Sequence, residues 1–340
     1  MRTLLLVLIV FLSDLSIAQE IPIGAWRSHL SFRQNNSITE MGDQIVAGSE
    51  QAVFMIDRSD NSFDRLTKID GLSDVGVQIV KYNVENDILL IAYNNSNIDL
   101  ISGSQIKNIG DIKRSTIQGD KTVYDVLFYN DVAYLSTGFG IVVLDLEKNE
   151  IKDTYQFGEE GALRINRVFI WENNIYAAAE DGLYFASLNS PNLSDFNLWN
   201  KFGAAQITPE GEANEVVVFN NSLIADIDGS IYRLVNDEWE LFFSDLSWEN
   251  VKLSVKEDQM ILQQFRSNSL VSQLVIWDLS FVQSSIRNDE VRIITDHVVD
   301  SNGNIWLASS NGIFKILTPD NFEQFLPNGP YNKDVYTLVA

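Results

Sequence analysis

The chain has 340 residues, 45% of them hydrophobic and 21% charged, with a formal net charge of −23 and no cysteine. That is enough apolar material for a substantial core. It excludes disulfides and thiolate chemistry, and so acidic a surface repels phosphate backbones and anionic lipid, which argues against nucleic acid or a polybasic membrane contact.

Residues 1–18 have the pattern of a secretory signal peptide. Arg2 supplies the basic start, Leu4 to Leu12 is an unbroken apolar run, and Ser16-Ile17-Ala18 is a small-x-small cleavage site, which places the mature start at Gln19. The apolar run is too short to span a bilayer. With no cysteine after the cleavage site, bacterial-type lipid attachment is excluded. Export to the periplasm or the outer-membrane cell surface, without a membrane span, is expected. Next, Trp26 to Phe32 reads as a strand.

From Asp43 onward one pattern recurs: an apolar strand, a short polar turn and a second strand. Asp43 to Gly48 leads into Val53 to Ile56, and Asp87 to Ala92 into Ile98 to Ile101. Val132 to Ser136 leads into Gly140 to Leu144, and Asn174 to Ala178 into Gly182 to Phe185. Ser222 to Asp226 leads into Gly229 to Leu234, Gln259 to Gln263 into Leu274 to Trp277, and Gly303 to Ser309 into Gly312 to Ile316. Val46, Leu90, Tyr134, Tyr176, Ile224, Ile261 and Trp306 are equivalent, and their spacings of about 37 to 48 residues have the period of β-propeller blades. Paired-helix repeats of similar period are excluded. The copies are short, rich in Ile, Val, Leu and Tyr, bounded by Gly, Asn, Asp and Ser, and lack a helical apolar stripe.

The expected fold is all-β: a seven-bladed β-propeller of four-stranded antiparallel blades over residues 19–327. Residues 328–340 are expected to open a further, truncated repeat. Consecutive apolar residues in each second strand mean burial on both faces. Two residues after each equivalent position stand Gly48, Ala92, Ser136, Ala178, Asp226, Gln263 and Ala308. Five of the seven are small, which marks a place where neighbouring sheets crowd together, with the two exceptions read as weak blades. The longest insertion, Ser187 to Ala213, carries Phe196, Leu198, Trp199 and Phe202, expected to pack inward and supply a fourth strand, with a binding loop as the alternative. The ring is expected to close by Trp26 to Phe32 joining the last blade beside Gly312 to Leu317, leaving Phe322 to Phe325 over.

Sites for chemistry are sparse. With His29 and His297 as the only histidines and no cysteine, most metal sites and nucleophile triads cannot be assembled. Both histidines are read as structural. Asp300-Ser301-Asn302-Gly303-Asn304 faintly resembles a calcium loop but lacks its downstream glutamate, and Asn-Gly favours a hairpin turn. Asp226 to Gly229 reads as a turn, and Glu159-Glu160 as a solvated pair and not a glycosidase couple. No enzyme activity, cofactor or metal is expected. The turns between second and third strands are polar and share one face of a propeller, so Asn94, Asn95, Asn97, Phe139, Glu180, Asp181, Arg266 and Asn268 are candidate partner contacts.

The lead Gly71-Leu72-Ser73-Asp74, followed in other copies by Gly303-Asn304-Ile305-Trp306-Leu307-Ala308-Ser309, resembles two-component regulator propeller repeats of exported Bacteroidetes proteins. The opening Ile21 to Ser31 is more specific and resembles the start of the PorZ family of type IX secretion system components. That resemblance implies a non-enzymatic, surface-located scaffold in the attachment complex, with partners like the sortase PorU, PorV and PorQ, and a part in supplying anionic lipopolysaccharide to cargo. The family pattern also includes a second propeller and a C-terminal secretion-signal domain, which these 340 residues lack. The alternatives are a ligand- or glycan-sensing ectodomain, as the generic repeat allows, and a propeller enzyme acting on glycans, for which no acid, base or nucleophile can be named.

Overall fold

Seven sheets of four antiparallel strands follow one another along the chain, each built in the order first–second–third–fourth strand. This computed structural model describes residues 30–158, 161–203, 209–287, 290–327 and 329. The propeller lies within the unit Ser31–Ala340. The signal peptide, Trp26 to His29, Glu159-Glu160 and all of 328–340 except 329 lie outside the described residues.

The first strands are Asn35–Met41, Val77–Asn83, Val123–Tyr129, Ile165–Trp171, Ala213–Phe219, Glu249–Lys256 and Ile294–Val299. Residues of all seven line one central cavity, so they are the innermost strands. The second strands carry the core. Ile88–Tyr93 is buried at every position and Asn174–Ala179 at all but its first. A strand sandwiched between two neighbouring blades has no solvent face, which is why its apolar residues run consecutively. The core is a series of clusters filling the gaps between blades, such as Ile98 and Leu100 with Val126 and Leu135 between blades 2 and 3.

The crowding expected two residues after each equivalent position is present. A Cβ on Gly48 would stand 2.6 Å from Val77 Cγ1 of the next blade. The two exceptions lie in complete four-stranded blades, where Asp226 and Gln263 are 1% and 0% exposed. Gln263 uses the close approach to donate to the Ile294 carbonyl of blade 7 at 2.9 Å.

The insertion packs inward at its aromatics. Trp199 is buried, and with Phe196 it meets Phe157 of blade 3 at ring distances of 4.7 and 5.3 Å. Phe202 meets Trp239 of blade 5 at 5.5 Å. The fourth strand there is only Asn200–Lys201.

The ring closes differently from the expectation. The fourth strand of blade 7 is Asn321–Phe325, paired with Gly312–Thr318 from Ile313↔Phe325 to Thr318↔Asn321. Pro319-Asp320 makes the turn between them, with the residue types favoured at the centre of such a turn, and Phe325 reaches Trp306 at 5.0 Å. Phe32 is not part of a strand. It packs edge-on against Phe54 of blade 1 at 5.4 Å, under the Arg65 guanidinium.

Candidate interaction face and central channel

Every innermost strand carries a β-bulge near its start, where the register slips across Asn36, Gln78, Tyr124, Asn166, Asn214, Val251 or Thr295. A bulge adds one residue and re-aims the side chain after it. The residues that follow are Ser37, Ile79, Asp125, Arg167, Glu215, Lys252 and Asp296, and all seven line the central cavity of about 430 Å³. From blade 3 to blade 7 their charges alternate. Each stands opposite the crowded position of the second strand, as in Ser37↔Gly48, Arg167↔Ala178 and Glu215↔Asp226.

Neighbouring charges are paired around the ring. Lys81 and Arg167 lie 3.2 and 3.8 Å from Asp125, and Arg167 lies 2.8 Å from Glu215. Lys252 pairs with Asp296. The turn from blade 7 back to blade 1 continues the network. Val80 N–H donates to Ser37 Oγ at 3.2 Å, and Ser37 Oγ and Ile38 N both donate to Asp296 Oδ2 at 3.0 Å. The bulged residues add a second seam. Asn36 Nδ2 donates to Val77 O at 2.7 Å, Asn166 Nδ2 to Ala213 O at 2.8 Å and Thr295 Oγ1 to Asn35 O at 2.5 Å. The junction between blades 7 and 1 therefore uses the same bond as the junctions between 1 and 2 and between 4 and 5.

Burial and pairing compete at these groups. Burial raises the carboxyls of Asp125 and Asp296, but Lys81 beside the first and Lys252 beside the second hold both below the usual range. Burial pushes Glu215 up to about 7 despite Arg167, with Asp125 adding repulsion. Its Oε2 has no well-aligned donor. Burial also pushes Asp226 up to about 7. Asn250 and the Gly229 backbone give partial relief, and neither is placed to make a full hydrogen bond.

His297 is buried and structural in its contacts. Its Nδ1 lies 2.8 Å from Gln263 Oε1 and its Nε2 2.6 Å from Ser254 Oγ. Because the Gln263 amide nitrogen already donates to Ile294 O, the network assigns the proton to Nδ1. Burial and then Lys252 push the ring down to about 3, so it stays neutral. Asp300 behaves as a turn residue. It accepts from the backbone of Asn302 and Asn304, from Asn304 Nδ2 and from Trp306 Nε1, and Arg58 stands 3.1 Å away. Protein donors thus occupy the oxygens a calcium ion would need. Among the described residues no group of three or more His, Cys, Asp or Glu is arranged to hold a metal ion.

The bulges sit at the end of the channel that carries the turns between second and third strands. Backbone bonds tie those turns to the starts of the innermost strands, as in Asn94 N to Gly76 O and Glu180 N to Arg164 O. Asn94, Asn95, Glu180, Asp181 and Asn268 are exposed on this turn face. Phe139 and Asn97 are 2% and 5% exposed, which takes them off the surface. Phe139 sits in the core between blades 2 and 3 because the Gly140 turn folds it inward. Several exposed members are held by their own blade: Asp181 by Lys201 and Tyr184, and Asn95 by Asp74. Arg266 lies over Trp248.

The charged ring was absent from the sequence reading, though a signal existed. Val123-Tyr124-Asp125-Val126, Ile165-Asn166-Arg167-Val168 and Ala213-Asn214-Glu215-Val216 share an apolar–polar–charged–apolar pattern that breaks strand alternation. A break of this kind, repeated at the blade period, marks a bulge.

Residues 45–200 match the family of the PorZ N-terminal β-propeller domain of the type IX secretion system. PorZ of Porphyromonas gingivalis superposes with a TM-score of 0.76 at 20% identity, over 92% of this chain and 41% of that one. The extracellular domain of the putative hybrid two-component system BT4673 of B. thetaiotaomicron gives 0.60 at 15% identity, over 84% of this chain and 41% of that one. The WD40 propeller domain of Doa1 gives 0.63 at 13%, over 88% and 94%. At these identities the superpositions show the fold alone, and the chain spans about two fifths of the length of PorZ. No curated protein sequence matches. The chain thus resembles the N-terminal propeller of PorZ in sequence over residues 45–200 and in fold over most of its length.

Proposed function

We propose that this chain is an exported, non-enzymatic interaction module of a type IX secretion system, acting at the outer-membrane surface as a PorZ-like component. The observation that carries this reading is the match of residues 45–200 to the PorZ N-terminal propeller. The likeness in fold to the P. gingivalis protein, an essential bacterial surface component of that system, agrees with it. The partners it implies are PorU-, PorV- and PorQ-like proteins of an attachment complex that supplies anionic lipopolysaccharide to cargo. The turn face is the expected contact surface, since its turns are polar and turns of this kind tolerate change.

Co-precipitation of the tagged chain from outer membranes tests the reading: recovery of sortase-complex proteins is expected, and their absence, with the chain present and folded, overturns it. A second reading, a ligand-sensing ectodomain, is favoured by the likeness to the BT4673 extracellular domain. A glycan array separates the two, because the scaffold reading expects protein partners and the sensor reading a defined small glycan.

A further inference from the structure

The hairpin turn of blade 6 differs from the other turns of its face. It joins Gln259–Arg266 to Val271–Asp278, both eight residues long. Ser269 N donates to Arg266 O at 3.3 Å, and Leu270 closes the turn at φ 54°. A left-handed backbone suits Gly or Asn and is unfavourable for a bulky side chain. Among the described residues two large apolar side chains adopt positive φ, Leu270 and Phe281. At Phe281 packing offsets the strain, since its ring meets Phe219 and Phe242 at 5.5 and 5.3 Å. At Leu270 there is no comparable packing among the described residues: the side chain is 58% exposed.

Beside this turn a groove of about 530 Å³ runs to Leu246, Ser247, Trp248 and Glu249 of the preceding connection. The Arg266 guanidinium lies 4.1 Å over the Trp248 ring. Its Nε donates to Ser247 O at 3.1 Å and its Nη2 to Ser247 Oγ at 3.0 Å. Asp245 Oδ1 in turn accepts from Ser247 N and Oγ. The cation is therefore fixed before any ligand arrives, and Nη1 has no partner among the described residues. Leu246, 82% exposed, flanks the groove.

We propose that this groove docks a segment of a partner protein that presents one carboxylate to Arg266 between two apolar side chains, one covering Leu246 in the lining and one reaching past Ser269 at its end to the adjoining Leu270. A guanidinium held over an aromatic ring, with one nitrogen still open, is suited to a carboxylate. Glu249 at the rim repels a second acidic group and limits the segment to one. The exposed leucines favour a peptide over an anionic polysaccharide, which offers no apolar side chains to cover them. An apolar residue held in a strained, exposed position is then explained by what it contacts and not by the fold. The inference rests on the interaction reading above only in supposing a protein partner.

The test selects random dodecapeptides displayed on phage against the purified chain, then titrates a synthetic copy of the enriched sequence. An Asp or Glu with apolar residues on both sides is expected. Binding should weaken by about tenfold or more in Arg266→Gln and in Leu270→Asn, as for a central contact. Leu270→Asn should leave the melting temperature unchanged or raise it, because Asn suits the left-handed position. Failure to enrich any peptide, enrichment of peptides without an acidic residue, or undiminished binding by either variant overturns the proposal. So does competition by polygalacturonate that depends on Arg266 but not on Leu270. If these fail while secretion-complex proteins are still co-precipitated, the groove assignment falls alone.

Discussion

Asp226 stands where five other blades place Gly, Ala or Ser and blade 6 places Gln263, and both of its buried carboxylate oxygens lack a hydrogen-bond donor among the described residues. With a folded value near 7 against 3.8, the folded state holds its proton more tightly than the unfolded chain. Stability contributed by the protonated form is therefore lost as pH rises from about 4 through 7, and the loss is bounded at roughly 4 kcal/mol. Asp226→Asn removes the charge while keeping the shape. Thermal melts should show the variant clearly more stable than the parent at pH 8 and close to it at pH 4. An equal difference at both pH values would contradict the titration account.

Asp296 carries the opposite sign. It is held ionised by Lys252 and accepts from Ser37 and Ile38 across the blade 7–1 junction. Its contribution is present above the usual carboxylate range and lost as pH falls below it. Asp296→Ala leaves the Lys252 ammonium without its partner and two donors without an acceptor. The pair is only half-buried, with side chains 26% and 14% exposed, so the cost lies between the roughly 1 kcal/mol of a surface pair and the roughly 3–5 kcal/mol of a buried one, and urea unfolding at pH 7 should show a loss of about 2 kcal/mol. A loss below about 1 kcal/mol would mean that the ring does not hold this junction.

At the scale of the element, the fourth strand of blade 7 decides how the ring ends. Asn321–Phe325 covers the edge of Gly312–Thr318 and brings Phe325 onto Trp306. Truncation after Leu317 would expose that edge and the Trp306 ring, so a sharp fall in melting temperature and a rise in aggregation are expected. A truncated chain that melts like the parent would show that another segment covers the edge. Closure then rests on side chains between blades 7 and 1, and blade 7 needs no strand from the N-terminus.

The repeat period and the doubly buried second strands were legible because they depend on local composition. The bulges were not, since one extra residue such as Asn166 shifts alternation without changing which residues are apolar. Arg167 and Glu215, read as strand charges, would be placed facing solvent, and only the ring brings them together. The end of the chain misled for a related reason. Trp26 to Phe32 has strand character in sequence, whereas the pairing of Asn321–Phe325 with Gly312–Thr318 hangs on the two-residue Pro319-Asp320 turn. In the turns, polarity did not ensure exposure: Phe139 is carried inward by its backbone and Asn97 is buried beside Asp74.

For the whole molecule, two faces are available to partners. The turn face carries Asn94, Asn95, Glu180, Asp181 and Asn268, and the groove of blade 6 opens on it. The opposite face carries the turns between first and second and between third and fourth strands, with exposed Asp43, Glu85, Glu172 and Asp237. The scaffold reading requires one of them to hold secretion-complex proteins, and the exposed polar turns of the first make it the proposed one.

The most direct measurement compares two multiple-alanine variants in outer-membrane co-precipitation. One replaces Asn94, Asn95, Glu180, Asp181 and Asn268, the other Asp43, Glu85, Glu172 and Asp237. Each is checked for an unchanged β-type circular dichroism spectrum. The account predicts that the turn-face variant loses most of the sortase-complex proteins recovered with the parent chain and that the opposite-face variant keeps them. Full recovery with the turn-face variant, together with loss in the opposite-face variant, would contradict it.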